Sequence, residues 1–310
     1  MEITTFPAVR ALLQRHADHR EDIRPVAAFD CDGTVIRGDI GEAMLYRQIE
    51  RFFFAVSPAA VWPDVPDREE LDALYGGLQA MDPAKRTGSA MGERFAERIL
   101  SWYFDQIRDG LVIKACTDIV RLFTGFTLHQ VRTFAEETFC DEIIAAPGGR
   151  TLGTRQLPRG VRYIRETVDL LTALRDHGFE IWAVSGSNRW SVEPVFARLG
   201  IRPEHIIGIE METREGRLTP HEIRPVPIRE QKVEAMKRRT IPPPIVSASD
   251  SMNDIPLLLA ASELRIRVNS RGRDTQEFFR AVGTEPDDSW ILIEQPTILQ
   301  DWIPPWPTQQ

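Results

Sequence analysis

The five residues Asp30-Cys31-Asp32-Gly33-Thr34 carry the types and spacing best suited to chemistry in this 310-residue chain. Two carboxylates sit two positions apart, directly after the apolar run Pro25-Val26-Ala27-Ala28-Phe29. Buried charges need compensation, and a divalent metal with oxygen ligands supplies it. Alternate strand residues point to opposite faces, so both acids reach one site only if the chain leaves strand geometry here. Gly33 permits that turn. One Asp can then attack as a nucleophile while the other moves protons.

Three later segments could complete such a site. Ser185 closes the apolar run at residues 179–184 and is followed by Gly186-Ser187-Asn188. A hydroxyl with open backbone N–H groups at a strand-to-helix junction suits a phosphate oxygen. Lys232 lies in the first turns of a helix beginning near Arg229. Its ammonium would offset charge as an anion is attacked. Asp250-Ser251-Met252-Asn253-Asp254 follows the strand-like residues 245–248. Taken alone, each has an ordinary reading: a capped turn for Ser185, a solvated charge for Lys232, a helix cap for Asp250.

Order and context decide between the readings. Asp-x-Asp-Gly-Thr, Ser, Lys and Asp-x-x-x-Asp follow one another as do the four signatures of the haloacid dehalogenase superfamily, which this chain resembles over nearly its whole length. Ser249 departs from the family pattern, which usually has Gly there. The resemblance implies an α/β fold with a Rossmann-like parallel sheet, helices on both faces, and an inserted all-helical cap. It implies Asp30 as nucleophile and Asp32 as general acid and base. It also implies Mg2+ held by Asp30, the Asp32 backbone carbonyl and Asp250. Ser185, Gly186 and Lys232 would bind phosphate, with Thr34, Asn253 and Asp254 in support.

Helix-like apolar spacing at residues 40–56, 68–81, 91–107, 115–123 and 128–139 fills the stretch between Asp30 and Ser185. The expected division is a core of residues 1–36 and 159–310 and a cap of residues 37–158, with residues 147–159 as a polar return linker. A helix follows at 162–177. Strands are expected at 26–29, 179–184, 205–209, 245–249 and 264–268, and a small hairpin at 210–217 around Glu215-Gly216. The tail, 296–310, rich in Pro and Trp, reads as an irregular arm.

An insert at this point is similar to the branch containing phosphoserine phosphatase, whose plan phosphocholine, phosphoethanolamine and some histidinol-phosphate phosphatases share. The implied partner is a small phosphomonoester. Asp39 stands where that branch carries an acid facing the substrate amine, and Glu42 follows on the same helical face. Either could bind a cationic head group, or Asp39 could simply cap a helix. Trp102, Tyr103 and Phe104 could enclose a quaternary ammonium or belong to the core. Asp32 argues against a dehalogenase. A phosphonate hydrolase would need a Schiff-base lysine, for which Lys85 and Lys114 have no distinguishing context. A phosphotransferase shares the first half-reaction, and an inactive binding relative is the non-enzyme alternative.

A net charge of −8 argues against nucleic acid as partner. No apolar run is long enough to cross a bilayer, and residues 1–24 lack the apolar core of a signal peptide. Cys31, Cys116 and Cys140 do not make a disulfide framework, which points to the cytoplasm.

Overall fold

The computed structural model describes residues 6–17 and 24–300. The chain divides into two compact units. The first unit comprises Met1–Asp39, Val161–Gly208 and Pro227–Gln310. Its centre is a six-stranded sheet of β1 (Val26–Phe29), β2 (Glu180–Asn188), β3 (Ile206–Ile209), β4 (Val246–Ser249), β5 (Leu264–Val268) and β6 (Trp290–Ile293), ordered β6-β5-β4-β1-β2-β3. The registers among β6, β5, β4, β1 and β2 are all parallel. Short apolar runs suit such strands, which are buried on both faces. All four residues of β1 are buried, as its central place requires. The expected strands are present within a residue or two at their starts. β2 runs four residues further than expected, and the edge strand β6 was not foreseen.

Register places the reactive residues. Phe29 pairs with Ala248 on one side and Ala183 on the other. Asp30 and Asp250 therefore leave neighbouring strands one residue out of step, and Ser185 lies beside them on β2. Residues at the carboxyl ends of adjacent parallel strands share one crevice. Residues 162–177 are not one helix. Arg162–Tyr163 pairs antiparallel with Ile36–Arg37, and the helix runs Arg165–Asp176. The described start of the tail, 296–300, lies along this segment: Leu299 N–H donates to Tyr163 O at 3.0 Å, and Thr297 is held by the Glu166 carboxylate at 2.7 Å. The rest of the tail, and part of the N-terminal stretch, lie outside the described residues.

The second unit comprises Ile40–Gly160 and Ile209–Val226. Its main helices are Ile40–Glu50, Arg68–Ala80, Ala90–Arg108, Val112–Arg121 and Leu128–Ile144. Thr127 starts the last of these with a reciprocal capping box to Gln130. Phe53 stacks between Phe126 and Phe134, with ring centroids at 4.1 and 4.3 Å. Trp62 is fully buried and its indole N–H donates to Asp118 O at 2.8 Å.

The unit is not wholly helical. Residues 148–159, expected as a linker, form a hairpin of Gly148–Leu152 and Arg155–Arg159 turning at Gly153, whose φ is +57°. A Gly-containing two-residue link between extended runs specifies a hairpin as readily as a linker. A hairpin turns at Glu215-Gly216 as expected, but its strands, Met211–Arg214 and Arg217–Glu222, carry it five residues past the expected end. It belongs to this second unit, however. Gly125 N–H donates to Leu218 O, Leu218 N–H to Phe126 O, and Arg121 pairs with Glu222 at 2.8 Å. These bonds join segments about a hundred residues apart, which local sequence pattern does not report.

Candidate active site

Asp30 leaves β1 as its backbone N–H donates to Ala248 O at 3.0 Å. Beyond it the chain coils tightly, with the N–H groups of Thr34, Val35 and Ile36 all directed at Cys31 O. Gly33 takes φ +78° to make that coil. The turn brings both acids into one buried site, Asp30 at 5% exposure and Asp32 at 8%. Lys232 Nζ lies 2.8 Å from Asp30 Oδ1, and Thr34 Oγ1 lies 3.3 Å from Asp30 Oδ2. Thr34 also accepts from the Asp250 N–H at 2.9 Å, so one hydroxyl ties the loops after β1 and β4.

Lys232 is buried in the helix Gln231–Arg238, which Arg229 enters with a left-handed φ of +59°. Its ammonium bridges Asp30 and Asp254, the latter at 2.7 Å. Burial opposes that charge, but Asp254 and Asp30 outweigh it and hold the ammonium protonated well above the usual lysine range. Ser249 donates to Asp254 at 2.6 Å. The family's usual glycine could not do this, so the departure at Ser249 adds a bond to the lysine's counter-ion.

Ser185 is fully buried and its oxygen accepts the Ser187 N–H at 3.0 Å, a bond that leaves the Ser185 proton unused. Ser187 Oγ in turn donates to Asp32 Oδ2 at 2.7 Å. Ser187 was visible in the sequence but nothing marked it as the partner of Asp32, because that contact spans 155 residues. Gly186 passes close to Ile228, where a Cβ would meet Cγ1 at 3.3 Å. Asn253 accepts from Arg229 Nε at 3.3 Å.

Asp250 is the unsatisfied member. Both of its carboxylate oxygens are buried without a hydrogen-bond donor. Arg271 Nε stands 3.0 Å from Oδ2, which supplies charge but not a directed N–H. Burial, then the charges of Asp30 and Asp254, push the Asp250 carboxyl up to about 7 against the pull of Arg271. Asp254 is raised for the same first reason, to about 6. Bare buried oxygens beside a second carboxylate are what a hard cation fits. Among the described residues no three His, Cys, Asp or Glu side chains converge on a metal. The candidate set does not need three, since it draws on Asp30, Asp250 and the Asp32 backbone carbonyl.

The substrate-side residues divide. Asp39 is half-buried, and its charge acts on Cys31 and Arg271. Glu42, in the second unit, accepts from Tyr46 OH at 2.8 Å and Tyr103 OH at 3.0 Å, one phenol on each oxygen. The three neighbouring aromatics do not form a cage. Trp102 stacks under Lys114 at 4.7 Å, Phe104 under Arg155 at 5.4 Å, and Tyr103 turns to Glu42. Consecutive helical residues diverge by about 100°, which is why they cannot close on one ligand. Lys114 also pairs with Asp118 at 2.6 Å, and Lys85 is exposed in a short helix.

Residues 150–259 match the family model of haloacid dehalogenase-like hydrolases. That segment is similar to this family. A conserved protein of unknown function from Anaerococcus prevotii has a fold similar to that of this chain at TM-score 0.64, with 18% identity over 86% of this chain and 85% of that one. A protein of unknown function from Bordetella pertussis matches at TM-score 0.54, with 19% identity over 87% of this chain and 98% of that one. No curated protein matches the sequence. At these identities the structural likeness speaks for the fold alone. Among the described residues no helix is long and apolar enough to cross a membrane.

Proposed function

We propose that this chain is a Mg2+-dependent phosphomonoesterase that works through a phosphorylated Asp30. The observation that carries the reading is the pairing of buried Asp30 with Lys232 beside the bare carboxylate of Asp250. Asp30 Oδ attacks phosphorus as the bond to the leaving oxygen breaks, giving an aspartyl-phosphate. Asp32, oriented by Ser187, gives its proton to the leaving alkoxide. It then takes a proton from the water that attacks the same phosphorus and releases Asp30. Ser185, the Gly186 N–H and Lys232 hold the phosphoryl oxygens. Asp30, Asp250 and the Asp32 carbonyl would hold Mg2+, which when bound neutralises phosphoryl charge.

The family match favours a hydrolase. A small substrate is supported by the large insert after the first motif, and an amine-bearing one by Asp39. Glu42, with both oxygens engaged by phenols, supports that choice less. Cys31, Cys116 and Cys140 form no disulfide, which favours the cytoplasm as the place of action. The test is Mg2+-dependent phosphate release across phosphoserine, phosphoethanolamine, phosphocholine, histidinol phosphate, sugar phosphates and nucleotides. A selective hit that Asp30→Asn abolishes supports the reading. Absence of turnover across the panel overturns it.

A further inference from the structure

We propose that Arg271 is a built-in competitor of the metal ion for Asp250, and so sets the Mg2+ concentration at which the site fills. This rests on the metal-dependent reading of the same site. Arg271 sits at the tip of the loop that follows β5. Asn269 clamps that loop from both sides: its Oδ1 accepts the Arg273 N–H at 2.8 Å, and its Nδ2 donates to Arg273 O at 2.9 Å and Glu294 at 2.7 Å. The Asn269 N–H is itself fixed to Ile293 O at 2.8 Å. Gly272, at φ +64°, turns the chain just after Arg271. The arginine is thus presented by a pinned loop and does not approach by chance.

Its target is the one carboxylate of the site without a hydrogen-bond donor. Arg271 Nε is 3.0 Å from Asp250 Oδ2 yet gives that oxygen no aligned N–H. Of the other acids, Asp30 is engaged by Lys232 and Thr34, Asp32 by Ser187, and Asp254 by Lys232 and Ser249. Beyond Asp250, the charges of Asp39, Asp32 and Asp30 also favour the guanidinium. An arginine side chain 47% exposed can swing to solvent, whereas an Asp250 side chain 2% exposed cannot. A metal ion and the guanidinium would therefore exchange at one fixed carboxylate, with the arginine as the mobile party. Such an exchange is a coupling between two cations for one site, and couplings of this kind change affinity by about five- to 150-fold.

The experiment is an Mg2+ titration of Tm and of binding heat on wild type, Arg271→Gln, Arg271→Lys and Asp250→Asn, without substrate. Tighter Mg2+ binding in Arg271→Gln, by about five-fold or more and reversed toward wild type in Arg271→Lys, is the expected result. With chelator the Gln variant melts lower than wild type, and at saturating Mg2+ the two coincide. A merely structural arginine would lower Tm equally in both conditions. Unchanged or weaker Mg2+ binding in Arg271→Gln overturns the competition while leaving the phosphatase reading intact. Wild type that binds no Mg2+, with Asp250→Asn no different, overturns both.

Discussion

The carboxylate of Asp250 occupies the space where any residue other than glycine at position 33 would place its Cβ. Such an atom would lie 2.3 Å from Asp250 Oδ2 and 2.5 Å from its Cγ. Gly33 therefore answers two demands, a left-handed turn at φ +78° and the close approach of a candidate metal ligand. Gly33→Ala is expected to lower stability by about 2 kcal/mol or more, since the left-handed conformation alone costs roughly 1–2 kcal/mol. Mg2+ binding should weaken further, because Asp250 is the group that must move. Urea melts with and without Mg2+ would test this, and an Ala variant indistinguishable from wild type would refute the packing argument.

Asp30→Asn should abolish turnover, by roughly a thousand-fold or more, with little change in Tm, because an amide is not a nucleophile yet keeps the shape of the side chain. Asp32→Asn should instead let the phosphorylated Asp30 accumulate, visible as the mass of one added phosphoryl group after acid quench. Residual activity in Asp30→Asn would reassign the nucleophile.

Lys232→Met leaves Asp30 and Asp254 buried without their shared cation. Breaking a buried pair in this way costs about 3–5 kcal/mol. Adding Asp254→Asn should recover part of that stability and none of the activity. Denaturant unfolding of the single and double variants decides it, and equal losses in both would show that the lysine's charge is not what the fold needs.

Asp250 and Asp254 titrate at about 7 and about 6 in the folded chain against an ordinary 3.8, burial being the main cause. A carboxyl whose pKa is raised by folding favours the folded state below its unfolded value and loses that contribution as pH climbs through the folded one. With chelator present, stability should therefore fall between about pH 4 and 7, by as much as a few kcal/mol at 1.36 kcal/mol per unit. Asp250→Asn should flatten most of that slope and melt higher than wild type at pH 8. A slope that persists in the variant would place its origin elsewhere.

Asp39→Asn is expected to raise KM for amine-bearing substrates about ten-fold or more while leaving neutral phosphates unchanged, the size of one lost charged hydrogen bond. Glu42→Gln should act mainly on stability, since its oxygens already serve Tyr46 and Tyr103. Equal effects of both on KM would return Glu42 to the substrate side.

The residues at strand ends were legible because an apolar run followed by Asp or Ser can be read one segment at a time. Asp30, Ser185 and Asp250 all lie where such runs stop, and the sheet register then gathers them. Partners were not legible. Ser187 reaches Asp32, and Thr34 ties Asp250, through contacts that exist only once β1, β2 and β4 lie side by side. The strand β6, Trp290–Ile293, is as long as β1 but is not followed by an Asp or Ser that would mark its end. Nothing in the sequence marked Arg271, which the loop clamp by Asn269 and the approach to Asp250 set apart.

The hairpin Met211–Glu222 joins its unit from far along the chain, so the polypeptide passes between the two units four times and not twice. A ribosome must therefore deliver residue 226 before the second unit has all its parts, by which point much of the first unit has also emerged. Neither unit is a contiguous stretch that could be cut out and expressed alone. Its helices can form early from local contacts, but closure waits on a late strand pair, as non-local pairings generally do. Synthesis of this chain should pass through a stage in which residues 40–160 are collapsed but open along the edge that Leu218 and Glu222 later seal.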